Sequence, residues 1–415
     1  MEHRLKAGLA LAAGITAAAL VLSGCTTETP TEETPVLDTT ATELPAVDCV
    51  EKPEGLTPVT LQLQWLAQAQ FAGYYAADCL GYFADAGLDV EIVPLPAADA
   101  VPQDILSSGT VDYAVAWVPK VLGSIEGGAE LTNIAQVFQY SGTMQVAWAD
   151  SGISGVGDFA DKAIGTWGFG NEWEIFAAMA AEGVDASTVD IVLQDFSMSA
   201  LLNGDVDAAQ AMTYNEYAQL LETEDPNEPG TLISPDDVSS VYYSDTEGGM
   251  LQDAIWASTA DLDDPAFQEQ TVAFLTAAFK GWIYARDNVE EAASIAYAAA
   301  LDAIAAVESG ESDGLGAFPV GPGHQLWQAN EINKLVWPSP GGIGLMDQAA
   351  WDQTVAGALA STNQDGSNLI TAAPPATAFT TEYAQAALDA LSAEGIDVTG
   401  EGYTAIEVAL KLGGV

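Results

Sequence analysis

The chain has 415 residues, enough for two or three domains. A hydrophobic share of 49% excludes disorder over most of that length. The net charge of −51, from nine Lys and Arg against 60 Asp and Glu, excludes nucleic acid and anionic lipid headgroups as partners and suits bulk anion capture poorly.

At the N-terminus Arg4 and Lys6 precede an apolar run from Leu9 to Leu22, followed by Ser23-Gly24-Cys25. That is the order of a charged region, a hydrophobic region and a small-residue cleavage site. Leu22-Ser23-Gly24-Cys25 resembles a bacterial lipobox. Residues 1–24 are therefore read as a lipoprotein signal peptide, and Cys25 as the lipidated residue that tethers the exported chain to the outer face of the cell membrane. No later stretch reads as apolar enough to span a bilayer, which takes about 18–20 residues. Residues 25–56 are rich in Thr, Glu and Pro and read as an extended linker. Cys49 and Cys79 remain. Outside the cytoplasm they can form one disulfide or stay as two thiols, and the sequence leaves both open.

The folded part opens with the alternation Leu61-Gln62-Leu63-Gln64-Trp65, a strand with one buried face. A loop, Leu66 to Gln70, leads to a helix over Phe71–Leu80 that Gly81 stops. Strands follow at Leu88–Val93, Gly109–Trp117, Asn133–Phe138 and Met144–Trp148, with helices at Pro102–Ser107 and Lys120–Glu126. A second unit starts near Ser151, with strands at Ala163–Trp167, Asp190–Leu193 and Gly204–Met212 and helices at Glu172–Glu182 and Ser199–Leu202. This alternation predicts parallel-rich sheets flanked by helices, an α/β fold. Leu106-Ser107-Ser108-Gly109-Thr110-Val111-Asp112 resembles Leu201-Leu202-Asn203-Gly204-Asp205-Val206-Asp207, which points to two similar lobes. Gly109 and Gly204 stop helices, and Asp112 and Asp207 fix turns rather than do chemistry. A return strand, Asp253–Ser258, leads back to the first lobe, and the rest is helical: Ala266–Arg286, Asn288–Leu301, Gly323–Lys334, Asp347–Leu359 and Thr380–Leu391. The expected division is residues 57–148 and 255–415 for the first lobe with its C-terminal helices, and 149–254 for the second.

Four crests between a strand end and a helix start carry aromatics and amides, the place where open α/β sheets bind ligands. They hold Trp65, Gln68, Gln70, Phe71 and Tyr74; Trp117; Trp167, Gly168, Phe169, Gly170, Asn171 and Glu172; and Tyr214, Asn215 and Glu216. Two crests belong to each lobe, so closure would hold a flat ring between aromatic walls while amides and carboxylates read its edge. Offset stacking adds about 0.5–1.5 kcal/mol per ring pair. Gly168 and Gly170 would allow close backbone approach, with free N–H groups at the following helix start. The plainer reading of any one of these rings is core; the recurrence carries the site.

The one arginine beyond the leader, Arg286, lies in the helical tail, so no guanidinium clamp for a carboxylate or sulfonate stands near the crests. Lys120 and Lys162 read as ordinary solvated lysines. His324 is the one histidine beyond the leader, without the Cys/His cluster of a metal site or the Gly-x-Ser-x-Gly of a nucleophile elbow. No metal, cofactor or catalytic residue is expected, and the chain reads as a binder rather than an enzyme.

Gln64-Trp65…Gln68-Ala69-Gln70-Phe71-Ala72-Gly73-Tyr74-Tyr75, with Gly81-Tyr82-Phe83 and Gly87-Leu88-Asp89-Val90, resembles the opening of the thiamine-pyrimidine-precursor binding proteins, whose wider circle holds the nitrate, sulfonate and taurine binding proteins. Trp167 to Glu172, Thr213 to Glu216 and Asn330 to Pro338 resemble later blocks of the same family. The likeness covers about residues 58–360. It implies a two-lobed type II periplasmic-binding-protein fold with a helical C-terminal extension, and a monomer that delivers a small heterocycle to a membrane ABC permease. The Gln-x-Gln-Phe-x-Gly-Tyr-Tyr and Trp-Gly-Phe-Gly-Asn phrases resemble a subgroup linked to thiamine pyrimidines or riboflavin. The alternatives are a small-anion receptor for sulfonate, nitrate or bicarbonate, and an exported pyrimidine-processing enzyme. Eukaryotic relatives that make the pyrimidine use a cysteine-rich cluster and an active-site histidine, and neither stands near the crests here.

Overall fold

A computed structural model describes residues 37–415 apart from 98–99, 311, 313–320 and 363–365. The expected signal peptide and Cys25 lie outside the described residues. The first lobe begins with β1 (Thr57–Gln62), α1 (Ala72–Cys79), α2 (Tyr82–Asp85), β2 (Leu88–Val93), α3 (Pro102–Ser107), β3 (Tyr113–Trp117), α4 (Val118–Glu126) and β4 (Leu131–Gln136). The second holds β5 (Thr143–Trp148), β6 (Ala163–Thr166), α5 (Trp173–Glu182), β7 (Asp190–Leu193), α6 (Ser199–Leu202), β8 (Ala208–Met212), α7 (Glu216–Leu221) and β9 (Val238–Tyr242). The chain returns through β10 (Asp253–Ser258) and ends in α8 (Pro265–Asp287), α9 (Val289–Ser309), α10 (Pro322–Val336), α11 (Gln348–Ala360) and α12 (Glu382–Ala393).

The strand orders are β2-β1-β3-β10-β4 and β7-β6-β8-β5-β9. Each sheet has three parallel strands joined through one antiparallel strand to a fifth, so the weak sequence repeat corresponds to a repeated topology. The two glycines and aspartates of the repeat play matching parts. Gly109 and Gly204 take φ of 74° and 76°, the left-handed turn between a helix and the next strand. Asp112 accepts from the N–H and hydroxyl of Thr60 at 2.7 and 2.9 Å, and Asp207 from the N–H of Ala163 at 2.8 Å. Each carboxylate ties the start of one central strand to its neighbour.

The lobe borders differ from the expected ones. β5 pairs with β8 and β9, so residues 143–148 belong to the second sheet. Asp253 lies opposite Trp117 at the start of β10, so all of β10 belongs to the first. The crossovers are thus 137–142 and 243–252, because an antiparallel strand beside a border shows its allegiance only in its partners. The polar strand β9, Val-Ser-Ser-Val-Tyr, was not foreseen; it lies at a sheet edge with two residues buried, two half-buried and one exposed.

The core of the first lobe is aromatic, with Tyr113 stacked on Phe274 at 4.3 Å and Phe274 on Phe83 at 5.5 Å. α1 crosses α8 at two glycines. A Cβ on Gly73 would lie 2.1 Å from Cδ2 of Trp282, and one on Gly281 would lie 2.0 Å from the Gly73 carbonyl oxygen. Cys49 and Cys79 form a disulfide that pins the incoming chain to the end of α1. α9 corrects one expectation: with a mean hydropathy of 1.3 it is long and apolar enough to cross a membrane. Its apolarity is largely alanine, and Ala292, Ala293, Ile295, Ala296 and Ala300 are buried where it packs on α1 and α10.

Candidate functional site

All four crests meet at one cavity of about 220 Å³ between the two lobes. The first lobe lines it with Gln64, Trp65, Gln68 and Gln70 past the end of β1, with the start of α3, and with Trp117 and Lys120 at the β3–α4 junction. The second contributes Trp167, Phe169 and Asn171 from the β6–α5 loop, Phe196 after β7, and Met212, Tyr214, Asn215 and Glu216 at the β8–α7 junction. Of the fifteen ligand-site residues expected above, ten line the cavity: Trp65, Gln68, Gln70, Trp117, Trp167, Phe169, Asn171, Tyr214, Asn215 and Glu216.

Five do not. Phe71 and Tyr74 are fully buried, and Tyr74 meets Trp282 edge-on at 5.3 Å. The close α1–α8 crossing turns the Tyr74 ring toward α8, while Phe71 lies in a turn before α1 that packs on α9 and α10. Gly168, Gly170 and Glu172 support the loop instead of facing the cavity. Glu172 accepts from the Gly170 N–H at 2.9 Å, and the N–H groups of Trp167, Gly168 and Asn171 go to Gln210, Thr166 and the Gly168 carbonyl. These four loop N–H groups are thus satisfied within the protein. Its conformation demands glycine nonetheless: residues 168, 169 and 170 all have positive φ, of 70°, 54° and 88°. That leaves the Phe169 ring 86% exposed at the cavity rim.

Beneath the first-lobe crest lies a carboxylate that sequence reasoning missed. Asp253 is 2% exposed and accepts from Gln70 Nε2 and Trp117 Nε1, both at 2.9 Å, and from Gln64 Nε2. Burial pushes its carboxyl up to about 7, against the lowering effect of those three donors. Gln68 in turn donates to Gln70 at 2.9 Å. The first-lobe amides therefore hold Trp117 and one another in place more than they read a ligand. Their signal was the strand pairing that puts Asp253 opposite Trp117, which no local pattern gives.

The second-lobe carboxylate, Glu216, is also buried and raised to about 7 by that burial. It accepts from the Met212 N–H at 3.0 Å and from Asn215 Nδ2 at 2.8 Å. Asn215 Oδ1 faces Nε2 of His324 at 3.1 Å, and His324 Nδ1 meets Glu222 at 3.0 Å. The sole described histidine is thus wholly buried behind the cavity, bracing a lining amide.

Lys120 is a further correction. It is not a solvated surface lysine: it lines the cavity, donates to Asn171 Oδ1 across the cleft at 2.9 Å, and sits 4.7 Å from the centre of the Trp117 ring. Burial pulls its amine down to about 8, while Glu172 and Asp253 oppose the shift. Lys162, in contrast, donates to the Ser151 carbonyl and does not line the cavity. Arg286 packs over Trp337 in the helical region and does not line the cavity. Phe196 is another residue missed. It lies 4.7 Å from Trp65 of the first lobe and 6.4 Å from Trp167 of the second.

Two sheets of this order, joined by two crossovers around a cleft lined from both sides, define a two-lobed α/β solute-binding fold of the type II periplasmic-binding class, here with a helical C-terminal region. The chain matches the family described as "NMT1/THI5 like" over residues 68–292, and it belongs to that family. It is 25% identical over 248 residues to the formylaminopyrimidine-binding protein of Halalkalibacterium halodurans, covering 58% of this chain and 70% of that one. It is 28% identical over 212 residues to the riboflavin-binding protein RibY of Chloroflexus aurantiacus, covering 48% of this chain and 56% of the relative. Among solved structures, the periplasmic sulfonate-binding protein SsuA of Methylobacillus flagellatus aligns with a TM-score of 0.53 at 18% identity, covering 86% of this chain and 99% of that one. That likeness concerns the fold alone.

Proposed function

We propose that the chain is the extracytoplasmic solute-binding component of an ABC importer and captures a planar, nitrogen-rich heterocycle of one ring, such as a thiamine pyrimidine precursor. The observation that carries this is the cavity between the lobes, walled by Trp65, Trp117, Trp167 and Tyr214 and edged by amides and carboxylates from both sides. Its volume of about 220 Å³ lies below the roughly 300–1,000 Å³ of pockets for drug-sized ligands, which favours one ring over a three-ring flavin with its side chain. The formylaminopyrimidine-binding relative supports the same class of ligand. The lobes are residues 57–136 with 253–415, and 143–242, and their closure on ligand follows from tighter binding in the closed form.

Riboflavin is the second reading, supported by the likeness to RibY and by the aromatic walls. A small-anion receptor has less support, because the N–H groups of Trp167, Gly168, Gly170 and Asn171 in the β6–α5 loop already have protein partners. Catalysis by the described histidine is disfavoured because it is wholly buried behind the cavity wall. The Leu22-Ser23-Gly24-Cys25 phrase supports lipid anchoring at Cys25, with the chain acting as a monomer beside its permease. A panel titration followed by tryptophan fluorescence tests the reading. A formylated aminomethylpyrimidine should quench at one ligand per chain, without turnover, and an alkanesulfonate should not. Quenching by the sulfonate alone would overturn it, and consumption of the pyrimidine would favour an enzyme.

A further inference from the structure

Residues 403–411 form neither helix nor strand, yet their contacts run from one lobe to the other. Tyr403 donates to the Asn330 carbonyl at 3.4 Å. The buried Asn330 side chain pairs with both backbone groups of Ile406, at 3.0 and 3.1 Å. Asn330 lies on α10, which packs on α8 and α9. Tyr403 and Val408 pack against the first-lobe core, whereas Leu410 packs against the core of the second. The segment then reaches the end of α7, where the Gly413 N–H donates to the Glu222 carbonyl at 2.9 Å. Gly414 is buried over the Glu222–His324 pair, with φ of 72°. A Cβ there would lie 2.8 Å from Glu222 Oε2 and 2.9 Å from Cβ of His324. The start of α10 is equally close: a Cβ on Gly321 would lie 2.3 Å from the Gly414 carbonyl oxygen, and one on Gly323 2.6 Å from that of Val415. The same residues meet the N-terminal arm. The Thr42 hydroxyl donates to the Val415 carbonyl at 2.8 Å, and Lys411 Nζ to the Thr40 carbonyl at 2.9 Å. The Cys49–Cys79 disulfide pins that arm to α1.

We propose that residues 403–415 are a strap that holds the cleft closed, fastening α7 of the second lobe to α10 and to the N-terminal arm on the first. The attachment bears on the cavity through one short helix. α7 starts after the lining residue Asn215 and ends before Glu222, so a tie at Glu222 also fixes where Asn215 stands. Asn215 and Glu222 further share His324 of α10, at 3.1 and 3.0 Å. α10 is fixed to the first lobe in its turn, where Gln325 and Gln328 accept from the N–H groups of Ala69 and Gln70. Opening the cleft carries α7 away from that crest. It therefore breaks the strap's contacts with Glu222 and Leu410's seat in the second-lobe core, or its pairing with Asn330. Contacts made in the closed form alone shift the population toward that form before a ligand arrives. The inference is independent of which ligand the cavity takes.

Pulsed dipolar spectroscopy of the ligand-free full chain tests this. Spin labels at Asp104 on α3 and at Asp195 beside Phe196, both exposed, report the separation of the two cleft walls. The wild type should show one short separation. Gly414→Val puts a side chain where φ is left-handed and no Cβ fits, and should displace the end of the strap. Asn330→Ala releases its start, leaves the Glu222–His324 pair untouched, and guards against a folding defect in the glycine variant. Each variant should raise the population at a longer separation by about tenfold. Variants that melt at a lower temperature but keep the wild-type separation would make residues 403–415 a stabilising element only, and would overturn the inference. A wild type that already populates the longer separation as fully as the variants do would overturn it as well.

Discussion

Three buried carboxyls, Asp253, Glu216 and Glu174, are each pushed up to about 7 by burial. Their ordinary values lie near 4, so the native state holds these protons more tightly than the unfolded chain does. The stability they contribute is therefore fully present below about pH 4, and is lost as pH rises through 7. Glu174 stands outside the cavity lining and accepts from the Met250 N–H at 2.8 Å and from Gln252 at 3.3 Å, beside the returning crossover. We expect the melting temperature of the wild type to fall between pH 5 and pH 8, and the fall to be shallower in Glu174→Gln, by an amount on the order of 1–3 kcal/mol in unfolding free energy. Equal slopes in the two proteins would mean that Glu174 is ionised in the fold. At this scale the sequence is only partly legible. Trp65, Trp117, Trp167 and Tyr214 declare themselves by standing at strand ends, but Phe71 and Tyr74 carry the same local pattern and are buried in the first-lobe core instead. Lys120, Gln103, Phe196 and Asp253 become site residues through contacts distant in sequence, which no window of residues records.

Among the elements, α10 does more than extend the helical region. Gln325 and Gln328 accept from the N–H groups of Ala69 and Gln70 at 2.7 and 3.1 Å, holding the first-lobe crest. Trp327 donates to the Thr213 carbonyl at 3.1 Å, and His324 braces Asn215 and Glu222, holding the second-lobe crest. One helix thus positions ligand-lining segments of both lobes. His324→Phe would leave the Glu222 carboxylate and Asn215 Oδ1 buried without their partner, and should cost about 3 kcal/mol of stability. Ligand affinity should also fall, although His324 does not line the cavity. A variant with wild-type affinity would confine α10 to a packing role. The helix itself was expected at Gly323–Lys334, and the repeat of helix, glycine and strand foretold two similar lobes. The allegiance of β5 and β10 and the bridging role of α10 were not readable, because both depend on which chain segments come to lie side by side.

Across the whole molecule, the cleft is drawn together by contacts between lobes. Phe196 touches Trp65, with Trp167 on its other side, and Lys120 reaches Asn171. These contacts close the walls around a ligand without using the ligand's own polar groups, so they should govern residence time more than encounter rate. Phe196→Ala should raise the dissociation rate of a bound pyrimidine several-fold in stopped-flow fluorescence, with the association rate little changed. An unaltered dissociation rate would show that Phe196 takes no part in closure. The measurement that bears most directly on the account is a crystal structure of the chain with the formylated aminomethylpyrimidine. We expect the ring in the cavity between the lobes, against the indoles of Trp65 and Trp167 and the ring of Tyr214. The same compound seated elsewhere on the protein, with this cavity unfilled, would contradict it.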